Sequence, residues 1–348
     1  MDEQRGPEHI VKHVMMPAVR ETYEDLLAAA GDADLLVAAD LVYVAPLVAA
    51  VSGLPWVAVT MAPFSFLSRH DPPVLSQAPW LARLADVSKP AYAALLRLGK
   101  WRIRHWGERL DALRDTLGLP READPLFAAR ERAAVLLGMF SPVFGPPQPD
   151  WPRNARATGF AFYDRHEPMP DDLHRFLDNG EAPIVFTLGS AAVFDPGDFY
   201  RESAAAARLL GRRGVLLVGP EAHDVPTADD QIAVAAYAPY SVLLPRAAAV
   251  VHQGGIGTTA QALRAGRPML IVPFSHDQPD NAARVVRLGA GLTVRRRRYS
   301  AQTAAAALRK LIEEPSYARR SAAIAEQLRH EDGASAAASA IERAVSAG

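Results

Sequence analysis

Short apolar runs alternate with longer amphipathic stretches along most of this 348-residue chain. The apolar runs are rich in Val, Ile, Leu and Ala and are bounded by Gly, Pro or Asp, a pattern typical of buried strands. Three strands are predicted in the first half, at Asp34–Ala39, Leu54–Thr60 and Ala133–Met139. Six are predicted in the second half, at Pro183–Leu188, Val215–Val218, Ile232–Ala236, Ala248–His252, Pro268–Pro273 and Gly291–Val294.

Helical periodicity fills the segments between these runs. It predicts one amphipathic helix from residue 8 to about residue 30, a helical region over 80–118, and two or three closing helices after Ser300. Strands that alternate with helices form parallel sheets, whose ligands bind outside the carboxyl ends of the strands. The sequence therefore predicts an α/β protein with two Rossmann-like domains.

The predicted domain boundaries follow from where this alternation is interrupted. A polar, Pro-containing stretch over residues 163–172 is interpreted as a linker. We expect an N-terminal domain over 1–162, a C-terminal domain over 170–330, and a last helix over 331–348 that packs back on the N-terminal domain.

Composition excludes several classes of protein. The formal net charge of -1 argues against a nucleic-acid-binding protein, which is usually basic. The chain has no cysteine, so it has neither a disulfide framework nor a thiol nucleophile. Neither a leader-like apolar segment nor a run near the roughly 20 residues of a membrane span is found. We expect a cytoplasmic protein.

The strongest chemical signal is a glycine-rich turn after the fourth predicted strand of the second half. Gly254, Gly255 and Gly257 are followed by Thr258 and Thr259, at the start of a helix over about 258–265. Glycines let backbone amides approach an anion closely, and a helix start adds unpaired N–H groups and about half a positive charge. The turn predicts a diphosphate site, the alternative being a purely structural tight turn.

The segment Tyr237–Asn281, which contains this turn, resembles the donor-binding signature of the family-1 glycosyltransferases. The resemblance implies that Tyr237 stacks on a uracil ring and that Asp277 and Gln278 hold hydroxyls of the donor sugar. A wider likeness to bacterial sterol and macrolide glycosyltransferases covers most of the chain. It implies the GT-B fold, in which two Rossmann-like domains hold donor and acceptor.

Within this segment the sequence both follows and departs from the family's pattern. Thr258 matches a phosphate-contacting Ser or Thr, whereas Gln261 replaces a ribose-binding Glu. The family's pyrophosphate-binding His falls on Gln253, whose amide can donate a hydrogen bond but carries no charge. His252 comes directly before it. Because neighbours on a strand point to opposite faces, His252 is either a donor-site residue at the end of the strand or a core residue.

A second element matches the same family. The run FTLGS, Phe186–Ser190, ends a predicted strand in Gly189 and Ser190. The resemblance implies that their backbone N–H and hydroxyl contact the donor phosphate, the alternative being a simple turn. We expect a UDP-sugar donor, UDP-glucose first and a dTDP-sugar as the alternative, with neither a cofactor nor a bound metal.

The expected reaction is inverting transfer of a hexose to a hydroxyl of a lipophilic small molecule. In the family the base lies in a Gly-rich loop after the first strand, and no such strand precedes the opening helix here. A parallel sheet must be covered on both faces and protected at its edges, and a sheet of three strands meets this requirement poorly. We therefore expect an incomplete N-terminal domain lacking roughly 90 residues of the family's length. His70 and Asp71 are the candidates for the base, the alternative being a turn capped by the aspartate.

Three interpretations stay open at this point. The chain is an active glycosyltransferase whose base comes from elsewhere, or a nucleotide-sugar-binding protein with little transfer activity. In the third, it is a fragment that needs self-association or a partner chain to complete the N-terminal sheet.

One basic aromatic run stands outside these motifs. Lys100–Trp106, KWRIRHW, predicts a solvated helix face with its apolar residues turned inward. The alternatives are contact with a membrane surface or with a lipophilic acceptor.

Overall fold

The computed structural model describes residues 6–164, 167–220 and 225–346 in two compact units. The C-terminal unit spans Phe162–Glu331, and the N-terminal unit joins residues 6–161 to the helix that begins after Asp332. Each unit has a parallel sheet covered by helices, so the predicted α/β class is confirmed. Arg165 and His166 of the predicted linker lie outside the described residues, as do residues 1–5 of the predicted N-terminal domain and residues 347–348.

The N-terminal unit has a four-stranded sheet in the order β1-β2-β3-β4. Its strands are β1 (Leu36–Ala39), β2 (Trp56–Thr60), β3 (Val135–Gly138) and β4 (Ala155–Ala157). Its helices are α1 (Gly6–His9), a π-helix (Ile10–Met15), α2 (Val19–Ala29), α3 (Ala45–Ser52), α4 (Trp80–Val87), α5 (Lys89–Ile103) and α6 (Glu108–Thr116), with 3₁₀ turns at Pro63–Phe66, Arg104–Gly107 and Ala129–Arg132.

The C-terminal unit has a six-stranded sheet in the order β10-β9-β8-β5-β6-β7. Its strands are β5 (Ile184–Thr187), β6 (Gly214–Leu217), β7 (Ile232–Ala235), β8 (Ala249–His252), β9 (Met269–Ile271) and β10 (Gly291–Thr293). Its helices are α7 (Asp171–Asp178), α8 (Gly189–Ala192), α9 (Phe199–Leu209), α10 (Tyr240–Leu243), α11 (Ile256–Arg264), α12 (Gln278–Arg287), α13 (Ala301–Glu313) and α14 (Pro315–Leu328), with 3₁₀ turns at Leu244–Arg246 and Arg296–Arg298.

All nine predicted strands are present, and their observed ends differ from the predicted ones by at most two residues. The strand β4 was not predicted. It has three residues, includes the exposed Arg156 and lies at the edge of its sheet, so its sequence carries no apolar run. The N-terminal sheet therefore has four described strands rather than three.

The single helix predicted from residue 8 to about residue 30 is wrong. The chain there forms α1, a π-helix and α2, with a break between Met16 and Ala18. Pro17 has no amide hydrogen to donate to the preceding turn, which is why regular helix stops here. Beyond the break, Val19 and Tyr23 of α2 are buried in the N-terminal core.

The last helix, α15 (Gly333–Ser346), belongs to the N-terminal unit. Its Ala337 and Ala340 pack against Val57 of β2 and Leu137 of β3. At Gly333 an added Cβ would lie 2.4 Å from the carbonyl oxygen of Gly159, so only glycine allows this approach. The helix therefore covers one face of a sheet whose strands end almost 180 residues earlier in the chain.

The inward packing predicted for Lys100–Trp106 holds for only part of the run. Ile103 and Trp106 pack against the N-terminal core, whereas Trp101 is 66% exposed. The predicted run spans the end of α5 and the 3₁₀ turn at Arg104–Gly107, so its residues are not on one helix face. The prediction is wrong for Trp101.

No helix in the described part of the chain is long and apolar enough to cross a membrane.

Candidate functional site

The C-terminal sheet contains a reversal of strand order between β5 and β8, which are neighbours in the sheet. From β5 the chain adds β6 and β7 on one side, and from β8 it adds β9 and β10 on the other. Since parallel crossovers are right-handed, the helices after β5 and β8 lie on opposite faces of the sheet. The turns after β5 and β8 therefore diverge and leave a crevice, where ligands of open α/β sheets bind.

The two predicted motifs occupy the two sides of this crevice. Thr187 at the end of β5 is in register with His252 at the end of β8. Gly189 and Ser190 follow β5, and the glycine-rich turn follows β8 and leads into α11. The first backbone N–H groups of α11 have no carbonyl partner within the helix, so they are available to an anion.

Gln253 lies across this crevice. Its side chain is buried, and its Nε2 would be 2.4 Å from a Cβ added at Gly189 and 2.7 Å from one added at Gly255. Its Oε1 is buried with no hydrogen-bond partner among the described residues. Gly189 has φ +63°, a conformation that favours glycine. The two glycines thus make room for one neutral amide at the start of α11.

Three hydroxyl groups join the elements around the crevice. Thr187 Oγ1 lies 2.8 Å from the hydroxyl of Tyr240, which also hydrogen-bonds to Thr258 at the start of α11. Burial raises the pKa of Tyr240, and the two threonine hydrogen bonds oppose that rise. Thr259 is buried, and its hydroxyl donates to the carbonyl of Gly255. Thr258 is therefore the threonine that lies beside Gly189, whereas the hydroxyl of Thr259 is bonded to the backbone of the turn.

His252 is fully buried at the end of β8. Its Nδ1 accepts a hydrogen bond of 3.0 Å from the backbone N–H of Gly254, so the ring proton is on Nε2. Burial lowers the pKa of His252 to about 3, so the imidazole is neutral near pH 7. Of the two placements that the sequence left open, the structure puts His252 in the interior, where it holds the backbone of the turn.

The loop before α12 has a constrained backbone. His276 has φ +59°, which is unfavourable for a residue with a Cβ. Gln278 holds this conformation, since its buried Oε1 accepts from the backbone N–H groups of Phe274 and Ser275 at 2.8 and 3.0 Å. Asp277 lies between them at the start of α12, and burial raises the pKa of its carboxyl group.

Asn281, which the sequence did not single out, connects this loop to the glycine-rich turn. Its Nδ2 donates to the carbonyl of Gly254 at 2.9 Å and to Oδ2 of Asp277 at 2.8 Å. The four-residue spacing of Asp277 and Asn281 on a helix was the available signal. Through Asn281 the structure brings Asp277 to the turn.

Two further residues of the predicted donor site are partly exposed. Gln261 is half-buried in the second turn of α11. Tyr237 follows β7, is 42% exposed and lines a cavity of about 560 Å³ between α7 and β7. This cavity is lined by Leu173, Phe176 and Val234 among others, and it gives the edge of the sheet a largely apolar recess.

His70 and Asp71 lie in the N-terminal unit, in the turn that follows β2. Their backbone N–H groups donate to the buried hydroxyl of Ser68, which itself donates to Asp150 at 2.6 Å. Asp150 also accepts from the backbone N–H of Arg69 at 2.8 Å. Asp150 is distant in sequence and was missed, and it fixes the turn that presents His70 and Asp71.

Comparisons with known proteins identify the family. Residues 215–342 match the family model described as the erythromycin biosynthesis protein CIII-like C-terminal domain. O-mycaminosyltylonolide 6-deoxyallosyltransferase of Streptomyces fradiae is 37% identical over 263 residues, 71% of this chain and 60% of that protein. Vancomycin aglycone glucosyltransferase of Amycolatopsis orientalis is 30% identical over 286 residues, 81% of this chain and 68% of that protein.

Solved structures share the fold. The calicheamicin glycosyltransferase matches 98% of this chain with a TM-score of 0.70 and 18% identity, and the chain covers 83% of it. The glycosyltransferase VinC, solved with dTDP, matches 99% of this chain with a TM-score of 0.63 and 20% identity, again over 83% of its length. The predicted GT-B fold is confirmed.

The chain belongs to the family-1 glycosyltransferases of the GT-B type. It spans 60% of the length of the tylonolide relative and 68% of the vancomycin relative.

Replacing Gly189 by Ala tests the crevice. The new methyl group meets Gln253 Nε2, so the amide must move. Gly211→Ala is the control, because Gly211 has nearly the same φ, +62°, and a Cβ added there meets nothing within 4 Å. Both variants should lose about 1–2 kcal/mol of unfolding free energy. Only Gly189→Ala should weaken UDP binding, by about tenfold in calorimetry. Equal UDP affinity in the two variants would contradict the position assigned to Gln253.

Replacing His252 by Asn tests its buried neutral state. The imidazole has a folded pKa of about 3, below its usual 6.5, so the unfolded chain takes up a proton first as pH falls. This destabilises the folded state below about pH 6.5, by about 1.4 kcal/mol per pH unit. Asn keeps an acceptor for the N–H of Gly254 and does not titrate.

The measurement for His252 is urea unfolding from neutral to acidic pH, taken as the difference between wild type and His252→Asn. The wild type should lose stability relative to the variant as the pH falls. A difference that stays constant with pH would contradict a buried neutral imidazole.

Proposed function

We propose that this protein transfers a hexose from a nucleoside diphosphate sugar to a hydroxyl of a lipophilic small molecule, with inversion at C1. The observation that carries the proposal is the start of α11 at the strand-order reversal, with Gln253 held between Gly189 and Gly255. Unpaired N–H groups and a neutral amide donor suit a diphosphate. Membership of the family supports the transfer reaction.

The diphosphate is the leaving group of this reaction. As the acceptor oxygen forms its bond to C1, the bond from C1 to the diphosphate oxygen breaks and negative charge develops there. Preorganised donors at that position lower the barrier, each by a factor of about 10²–10³. In the proposed arrangement these donors are the first N–H groups of α11, Gln253, Thr258 and Ser190.

The donor sugar is proposed to contact Asp277 and Gln278. The carbonyl of Gln278 already accepts from two backbone N–H groups, which leaves its amide nitrogen to donate to a sugar hydroxyl. Asp277 is the acceptor of this pair, since its carboxylate is held toward the turn by Asn281. The pair supports a hexose with free hydroxyl groups, and UDP-glucose is the proposed donor.

Tyr237 is proposed to stack on the nucleotide base. The half-exposed ring beside an apolar recess supports a flat aromatic ligand, and this feature fits both uracil and thymine. One relative is named a deoxyallosyltransferase and one structural neighbour was solved with dTDP. A dTDP-sugar is therefore the second donor to be compared with UDP-glucose.

The base is proposed to be His70 or Asp71, which takes the proton of the acceptor hydroxyl. The turn that carries them is fixed by Ser68 and Asp150, and a fixed position is what proton transfer requires. A protein that binds the nucleotide sugar with little transfer is the second candidate. It is favoured by the uncharged side chains at the start of α11, where the family has a histidine in place of Gln253.

An assay with UDP-glucose or dTDP-glucose and a panel of hydrophobic phenols, sterols and macrolactones tests the proposal. Wild type should form glycosides, and His70→Ala or Asp71→Ala should lower kcat by about 10²–10⁴ without changing the Kd for UDP. His13→Ala and Asp25→Ala, which make the same replacements at exposed positions of the same unit, are the controls and should keep kcat. UDP binding without product from any acceptor would favour the binding protein, and no binding of either nucleotide would overturn both.

Replacing Gln253 by His tests separately whether residue 253 lies beside the diphosphate. A protonated imidazole beside the diphosphate attracts it, so UDP binding by the variant should strengthen as pH falls through the imidazole pKa. Wild type has no such group at position 253, so the variant-to-wild-type ratio of Kd values isolates its effect. A ratio independent of pH, measured by calorimetry, would place residue 253 away from the diphosphate.

A further inference from the structure

A helical hairpin in the N-terminal unit has a small core of its own. It comprises α4, α5 and the 3₁₀ turn that ends at Gly107, residues 80–107, which we name the basic hairpin. Leu81, Ala85 and Tyr92 form its buried centre, as a cluster separate from the main core of the unit. Ile103 and Trp106 pack against the main core, whereas several other apolar residues of the hairpin are left on its outside.

Those outer residues are unusually large. Trp101 is 66% exposed, Trp80 58%, Leu98 56% and Val87 85%. On α5, Leu98 and Trp101 are three residues apart, so they share one side of the helix with the exposed Ala94. An exposed tryptophan beside an exposed leucine on a helix is a feature of surfaces that enter the boundary of a bilayer.

The basic hairpin is also strongly cationic. It contains six basic side chains and one acidic side chain, in a chain whose overall charge is -1. Lys100 pairs with Asp124 and lies over the ring of Phe127. In the described part of the chain the remaining five form no ion pair; these are Arg83, Lys89, Arg97, Arg102 and Arg104.

We propose that the basic hairpin is a docking surface for a membrane containing anionic phospholipids. Each unpaired Lys or Arg near such a surface strengthens attachment about fivefold, and these factors multiply along a cluster. The exposed Trp101 and Leu98 contribute the apolar part, since the indole ring favours the interface between headgroups and acyl chains. Charge complementarity selects the lipid surface, because five unpaired cations need an extended array of anions. This proposal does not depend on the transfer reaction.

The test mixes the full chain with large vesicles of phosphatidylcholine, with or without phosphatidylglycerol, and measures co-flotation and tryptophan emission. The protein should float with the anionic vesicles, shift its emission to shorter wavelength and detach at high salt. The double variant R102E/R104E should bind roughly 30-fold more weakly or worse. Trp101→Ser should bind more weakly and lose most of the emission shift.

Matched controls come from the C-terminal unit. R297E/R298E makes the same charge change at two exposed arginines, and Leu209→Ser removes an apolar side chain that is 55% exposed. Both should bind anionic vesicles as wild type does. Thermal unfolding of every variant checks that the fold is intact. We expect it to be intact because the altered side chains are exposed.

Three results would overturn the proposal. One is no flotation with anionic vesicles at low salt. Another is equal loss of binding in R102E/R104E and R297E/R298E, which would mean unspecific attraction. The third is a wild type that does not bind vesicles but forms a concentration-dependent dimer, seen by light scattering, which Trp101→Ser abolishes. That result would assign the hairpin to contact between copies of this chain.

Discussion

The parallel pairing of β5 with β8 is the interaction on which the rest of the C-terminal unit depends. It joins the two strands from which the chain turns in opposite directions, and it sets Thr187 beside His252. The diverging turns then place Gly189 against Gln253 and Thr258 against Tyr240. In the N-terminal unit the four described strands follow one another in a single direction, so those strands form no equivalent crevice.

Much of this arrangement could be predicted from the sequence. The strands of a buried parallel sheet are apolar along their whole length, so runs such as those of β5 and β8 are visible without alignment. The glycine-rich turn was equally visible, because close backbone approach and positive φ select glycine. The break at Pro17 was missed because helical periodicity continues on both sides of it, and β4 was missed because an edge strand need not be apolar.

The remaining features depend on contacts between distant residues. The sequence left His252 undecided, since only the structure shows that its Nδ1 accepts from Gly254. Asp150 was missed for a similar reason: it accepts from a backbone group of a distant segment, and such a partner leaves no local pattern. The bond from Asn281 to Gly254 is equally distant in sequence, and only the spacing of Asn281 from Asp277 was visible. Trp101 was placed inward because an aromatic residue on a helix usually faces a core, whereas the core of the basic hairpin is already filled.

The docking of α15 on the N-terminal sheet has a consequence for how the protein is made. Val57 and Leu137 are covered by Ala337 and Ala340, which are synthesised long after the strands that they cover. At a synthesis rate of 5–20 residues per second, that apolar face stays uncovered for on the order of ten seconds or more. During this time the whole C-terminal unit is synthesised and can fold. The nascent chain therefore contains the whole of its C-terminal unit before its N-terminal unit is complete, and one face of the N-terminal sheet is exposed to solvent in the meantime.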